Sequence, residues 1–185
     1  MKSAVNTEDY PDSGRPEIAF LGRSNSGKST LINSLLGSRQ ARVSSKPGKT
    51  TLLNFYDCGE HYRIVDLPGY GFASRSNKET MHWKEMIETY LQTRPNLVGA
   101  VLVMDIRRDW SKDEELISKF VNLNGMPLVV ALNKTDKLPK NSIQKRLRAC
   151  TSTVSGGGNF FCISAKSKDG VDDLEEHLFK NWVNN

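Results

Sequence analysis

Between residues 18 and 37 an apolar run, a glycine-spaced loop and a helical periodicity follow one another without interruption, and few folds tolerate that order. Ile18-Ala19-Phe20-Leu21 reads as a short buried strand. Leu31, Ile32, Leu35 and Leu36 recur at helical spacing before the stop signal Gly37. Between them, Gly22-Arg23-Ser24-Asn25-Ser26-Gly27-Lys28-Ser29 has the P-loop spacing G-x-x-x-x-G-K-[ST]. Gly22 and Gly27 open backbone conformations closed to other residues, so that consecutive amides converge on phosphate oxygens at the positive end of the following helix. Lys28 is expected to reach the β and γ phosphates, Ser29 to ligate Mg²⁺, and Thr30 to continue the phosphate-binding turn. The ligand implied is a nucleoside triphosphate. An ordinary glycine turn before a helix is the competing reading.

Two further segments narrow the ligand. Asn133-Lys134-Thr135-Asp136 follows Leu128-Val129-Val130-Ala131-Leu132, a strand buried on both faces, at the end where open parallel sheets bind ligands. The Asp136 carboxylate can accept both N1–H and the N2 amine of guanine, groups that adenine lacks. Lys134 would lie along the base plane and Asn133 would tie this loop to the P-loop, with Thr135 between them. Alone, the segment could equally be a solvated polar loop. Asp66-Leu67-Pro68-Gly69 closes the apolar strand around Ile64-Val65. There Asp66 would hold Mg²⁺ through a water, and the Gly69 N–H would meet the γ-phosphate. A simple turn is the alternative.

Together with Pro47-Gly48-Lys49-Thr50, Tyr70-Gly71-Phe72-Ala73 after the acidic turn, and Ser164-Ala165-Lys166, these motifs resemble the EngB type of bacterial GTPase in the TrmE–Era branch, over about residues 14 to 183. The resemblance implies a three-layer α/β P-loop GTPase fold. It further implies a small monomeric factor that hydrolyses GTP to GDP and helps assemble the large ribosomal subunit, with the subunit precursor and its rRNA as partners. It gives Thr50 the switch-threonine role on Mg²⁺ and the γ-phosphate, with Pro47, Gly48 and Lys49 beside it, and the Ala165 N–H a bond to guanine O6. Where Ras-like enzymes place a glutamine after the acidic-turn glycine, this chain has Tyr70, whose phenol cannot orient the attacking water. Asn25 stands where TrmE-type relatives use an asparagine to help coordinate K⁺, which would add positive charge as negative charge develops; a plain polar loop residue is the alternative. Catalysis would then rest on Lys28, Thr50, Gly69 and, through K⁺, Asn25. Unassisted hydrolysis is expected near roughly 10⁻⁴ to 10⁻³ per second.

A chain of 185 residues with 37% hydrophobic content can bury a full core without metals or disulfides. Strand and helix signals alternate, with strands at 18–21, 51–57, 60–66, 98–104, 127–132 and 159–163 and helices after the P-loop and at 79–93, 111–122, 140–153 and 170–182. The expectation is a six-stranded, mostly parallel sheet with helices on both faces, forming one domain over 16–185 behind a flexible lead-in at 1–15. That lead-in has no apolar run and is not a signal peptide. The chain has no stretch of 18 apolar residues and no prenylation cysteine at Asn185, so a membrane anchor is disfavoured and the expected location is cytoplasmic. Cys58, Cys150 and Cys162 lack metal spacing and read as free thiols, and His61, His82 and His177 form no ligand pattern.

The net charge is +5. Its distribution matters more than its total. Arg39, Arg42, Lys46 and Lys49 lie in the first switch region, Arg107 and Arg108 follow Asp105, and Lys137, Lys140, Lys145, Arg146 and Arg148 cluster on or near one helix. Ribosomal RNA contact and a merely solvated face both fit these charges. Two other functions stay open, a GTP-dependent interaction module with negligible hydrolysis and a P-loop kinase for a small molecule.

Overall fold

The computed structural model describes residues 1–38, 40–41, 52–70, 77–154 and 158–184, with backbone alone at 77–80 and 82–84. The segments holding Arg39, Arg42, Lys46 to Thr51 and Gly71 to Ala73 lie outside the described residues, and with them both switch regions in large part.

A sheet of seven strands forms the middle layer, ordered β1-β3-β4-β2-β5-β6-β7. In chain order the elements are β1 (Lys2–Ala4), β2 (Glu17–Gly22), α1 (Lys28–Leu35), β3 (Leu53–Cys58), β4 (Tyr62–Asp66), α2 (Asn77–Thr93), β5 (Leu97–Asp105), α3 (Lys112–Leu123), β6 (Leu128–Asn133), α4 (Lys140–Thr153), β7 (Asn159–Cys162) and α5 (Val171–Leu178). Strands β4, β2, β5, β6 and β7 run parallel; β1 and β3 pair antiparallel at one edge.

The apolar runs of β2 and β5 need cover on both faces, and alternate residues divide between them. Ala19, Leu21, Leu102 and Met104 pack with Met86, Ile87, Tyr90 and Leu91 of α2 and Val121 of α3. Ile18, Phe20, Val101 and Val103 pack with Leu31 and Ile32 of α1 and Val171, Leu174 and Leu178 of α5. Because β2 lies between β4 and β5, the helices that follow it in sequence leave on opposite faces, and the loop after β2 opens at a switch in strand order. Helix α1 stops where the sequence suggests, with Gly37 in the left-handed region at φ 62°.

Three expectations need correction. The sheet has a seventh strand because Lys2, Ser3 and Ala4 pair with Phe55, Asn54 and Leu53. Three residues of mixed polarity carry no periodicity to read; only the edge of β3 makes them a strand. The stretch 1–15, read as a flexible lead-in, also places Tyr10 against Phe55 and Tyr90, with ring centroids 5.5 and 5.7 Å away. The final helix, expected to run to 182, is α-helical only to Leu178 and continues as a π-turn over Phe179–Val183. That turn lays the Trp182 indole on Gly99, where an added Cβ would stand 2.6 Å from the ring.

Candidate functional site

The P-loop leaves β2 at Gly22 and enters α1 through Gly27, and both glycines have local reasons. A Cβ at Gly22 would stand 2.7 Å from the Val103 carbonyl, and one at Gly27 would meet Asn133 Nδ2 at 2.3 Å. Gly27 also has φ 93°, and Asn25 takes the left-handed region at φ 65° with its side chain exposed. The loop is thereby drawn against β5 on one side and the loop after β6 on the other.

Asn133 makes the junction. Its Nδ2 donates to the Ser26 carbonyl at 3.1 Å, while Oδ1 accepts from the Lys134 and Ala165 amides at 2.8 and 3.0 Å. One buried side chain therefore joins the P-loop, the Asn133–Asp136 loop and the Ser164–Lys166 loop. Lys134 Nζ bridges the Asn25 carbonyl at 2.5 Å and Asp105 Oδ2 at 3.1 Å. Asp136 accepts from Ser164 Oγ at 2.9 Å, and that bond holds its carboxyl below the usual range. Thr135 donates its amide to Ile163 O at 3.1 Å, yet its buried hydroxyl has no hydrogen-bond partner. Lys166 is exposed.

On the phosphate side, Lys28 Nζ is bonded to Asp66 Oδ1 and to the Leu67 carbonyl, the latter at 2.7 Å. Ser29 and Thr30 are half-buried in the first turn of α1. The pairing of β2 with β4 runs on past Asp66: Leu67 N donates to Phe20 O at 3.1 Å and Ser24 N to Tyr70 O at 3.1 Å. This brings Gly69 beside Ser24, where a Cβ would stand 3.0 Å from Oγ. Leu67 and Pro68 are buried. The Tyr70 phenol donates to Glu114 Oε1 of α3 at 2.8 Å. Burial first, and then the Glu114 charge, push its ionisation far above the ordinary tyrosine value.

Of the residues singled out in the sequence, the structure thus brings together Gly22 to Thr30, Asp66 to Gly69, Asn133 to Asp136 and Ser164 to Lys166 at the carboxyl ends of the parallel strands. Pro47, Gly48, Lys49 and Thr50 lie outside the described residues. Two carboxylates at this end escaped sequence reasoning. Asp105, buried at the end of β5, accepts from Arg107 Nε and Nη2 at 2.9 and 2.7 Å besides Lys134. Burial would raise its carboxyl, but the Arg107 and Lys134 contacts overcome this and hold it well below the usual range. A carboxylate closing an apolar strand was the available signal. Glu114 sits in the capping box Ser111-x-x-Glu114, legible as a helix start but not as the partner of Tyr70. Among the described residues no group of three or more His, Cys, Asp or Glu is placed to hold a metal, and the three cysteines are free. No helix among them is long and apolar enough to cross a membrane.

Residues 17–134 match the family described as 50S ribosome-binding GTPase. The chain is 46% identical to the probable GTP-binding protein EngB of Bdellovibrio bacteriovorus over 183 residues, 99% of this chain and 91% of that relative. To the Bacillus subtilis protein of the same name it is 42% identical over 174 residues, 92% of this chain and 89% of the relative. A crystal structure of a probable GTP-binding protein EngB superposes with a TM-score of 0.73 at 28% identity, covering 89% of this chain and 97% of the other.

Proposed function

The chain belongs to the 50S ribosome-binding GTPase family and, within it, to the EngB-type GTP-binding proteins, and from that premise we propose that it is a slow GTP-hydrolysing switch, monomeric and cytoplasmic, that assists assembly of the large ribosomal subunit. The three hydrogen bonds of Asn133 carry this reading, because they hold phosphate loop, base loop and the Ser164–Lys166 loop in one rigid arrangement.

In this reading Asp136, already oriented by Ser164, accepts N1–H and the N2 amine of guanine through its remaining lone pairs, and the Ala165 amide, held by Asn133 Oδ1 at 3.0 Å, shares its donation with O6. The stem of Lys134, pinned at Asn25 and Asp105, lies along the base. The amides of Asn25 to Thr30 take the phosphates, and Lys28 exchanges Asp66 and the Leu67 carbonyl for the β and γ oxygens. Once freed, Asp66 together with the Ser29 hydroxyl offers hard oxygens of the type Mg²⁺ selects, with Thr50 as the further ligand. Bound Mg²⁺ supplies positive charge against the β and γ phosphates. Pro47 to Lys49 and Leu67 to Gly69 complete the lining of the γ-phosphate.

The Tyr70 phenol points to Glu114 and stays protonated, so it neither orients nor deprotonates water. Positive charge at the transition state is assigned to Lys28 and to K⁺ held with the help of Asn25. Turnover in K⁺ and Na⁺ at equal ionic strength checks the latter: a rate several-fold higher in K⁺ is expected, and equal rates remove it. The switch itself is tested by sedimentation with large-subunit particles in GTP, in GDP and without nucleotide. Co-migration confined to GTP is expected; co-migration indifferent to nucleotide rejects a switch.

A further inference from the structure

On the α3 side of the P-loop lies a cleft of about 310 Å³ lined by Arg23, Ser24, Ser26, Met104, Asp105, Arg107, Arg108, Asp109 and Glu114. Ser24 and Ser26 of its wall belong to the P-loop, but none of Gly27, Lys28, Ser29, Asp136 or Ala165 lines it, so it adjoins the nucleotide cradle without coinciding with it. Its three carboxylates are each engaged by a neighbour: Asp105 by Arg107 and Lys134, Asp109 by Arg146, and Glu114 by Tyr70 and the Ser111 amide. Arg23 and Arg108, by contrast, have no ion-pair partner among the described residues, and Arg107 and Arg108 are exposed at the rim. Ser26, 3% exposed, forms part of the cleft wall, and its buried hydroxyl has no hydrogen-bond partner. An unpartnered buried hydroxyl in the wall of such a cleft is a donor in reserve.

We propose that this cleft binds a backbone phosphate of RNA, gripped by Arg23 and Arg108, with Arg107, held on Asp105, adding charge at the rim and the Ser26 hydroxyl a neutral donor. Guanidinium forks match phosphate oxygens better than an ammonium does. The volume, at the lower end of small-ligand clefts, admits a nucleotide unit and not only a lone ion. The other basic cluster does not line this cleft: Lys140, Lys145 and Arg148 stand exposed outside it. Arg146 of α4 is committed to the Ile106 carbonyl at 2.8 Å, the Arg108 carbonyl and Asp109, and Lys137 pairs with Asp136. Arg146 thus acts as a backing strut that presents Arg107 and Arg108. The assignment of RNA as the source of the phosphate rests on the ribosomal reading above.

The test uses the full chain loaded with a non-hydrolysable GTP analogue and Mg²⁺, so that the β and γ positions of the P-loop are both filled and no probe phosphate enters them. A short labelled oligouridylate and inorganic phosphate are titrated separately, followed by anisotropy at several salt concentrations and by arginine Nε–Hε NMR signals, with thermal melting as a check on folding. We expect oligonucleotide binding to shift the signals of Arg23, Arg107 and Arg108. R108Q should weaken it about tenfold and make the salt slope shallower by about 0.7. R148Q on α4 should bind as the unaltered chain does. Binding that is lost in R148Q but kept in R107Q/R108Q overturns the cleft and leaves the ribosomal reading standing. Shifts with inorganic phosphate alone overturn the RNA assignment, and no shift with either probe overturns the site. Oligonucleotide in the cleft without GTP-dependent sedimentation on large-subunit particles would instead uphold the site and reject the ribosomal reading.

Discussion

The two ends of the parallel sheet bury charge in opposite ways. At the amino ends, Glu17 is wholly enclosed and fully bonded: Oε1 accepts from Arg63 at 3.0 Å and Arg94 at 2.6 Å, Oε2 from Arg94 at 2.7 Å and Tyr90 at 2.9 Å. The same guanidinia reach the Pro11 and Asp12 carbonyls, tying the first residues to β4 and to the end of α2. At the carboxyl ends the polar groups are held but not exhausted. Asp136 keeps lone pairs beyond its Ser164 bond, Lys28 rests on Asp66, and the Ser26 and Thr135 hydroxyls are buried without partners. Asn96 Oδ1 at the amino end and Ser34 Oγ near the end of α1 are exceptions among the described residues. A closed network serves only the fold, whereas open capacity costs stability unless something external uses it. The end that spends less on itself is the end that binds.

The strongest way to break this contrast is Asp136→Ala. Two hydrogen bonds to a charged acceptor, at roughly 1.5–3 kcal/mol each, set the expected loss of GTP affinity near 10²- to 10⁴-fold. Calorimetry with GTP and ATP should show guanine preference collapsing while the thermal midpoint without nucleotide barely moves. A fallen midpoint with retained affinity would mean that Asp136 is structural.

Glu17→Gln probes the other end. It leaves Arg94, whose side chain is 8% exposed, short of a counter-charge and Arg63 with Asp57 as its close remaining one. Breaking a buried pair in this way costs about 3–5 kcal/mol, read by urea unfolding, while GTP affinity should stay within experimental error. Acid supplies a second readout. Burial alone would raise the Glu17 carboxyl, but Arg94, Arg63 and Tyr90 overcome it and hold it below its ordinary value of 4.5. Its contribution is therefore complete above that value and disappears as pH falls through the lower, folded one. The stability gap between the two proteins should narrow on acidification; a constant gap would show that charge is not the cause.

How much could be read beforehand divides along the same line. β2, β5 and β6 were legible because burial on both faces demands unbroken apolar runs, and the P-loop and Asn133–Asp136 because their chemistry requires local spacing. Glu17 could not be read, since its partners lie 46 and 77 residues away and nothing local pairs them. β1 depends on an edge supplied by β3, and the π-turn on room for Trp182 over Gly99. Asp105 and Glu114 were visible as residues but not as partners of Lys134 and Tyr70. Local motifs announce what a loop binds; the long-range contacts that hold it leave no local pattern.

Tyr70 sharpens the comparison, because it stands at the binding end but is built like the closing end. Its ring is buried in the core, and its phenol meets a carboxylate on α3 that also accepts from the Ser111 amide at 3.0 Å. Tyr70→Phe removes one of these bonds from a buried carboxylate that retains the other, so a loss of about 1–2 kcal/mol is expected. Since the phenol remains protonated and is bonded to Glu114, the single-turnover hydrolysis rate should be unchanged and its alkaline limb unaltered. Tyr70→Ala, which empties the site, should cost about 3–5 kcal/mol and disturb the Ser24–Tyr70 bridge as well. A Phe variant that folds normally but hydrolyses GTP tenfold more slowly would move Tyr70 from the fold to the chemistry, and the division between the two ends would no longer hold on this strand.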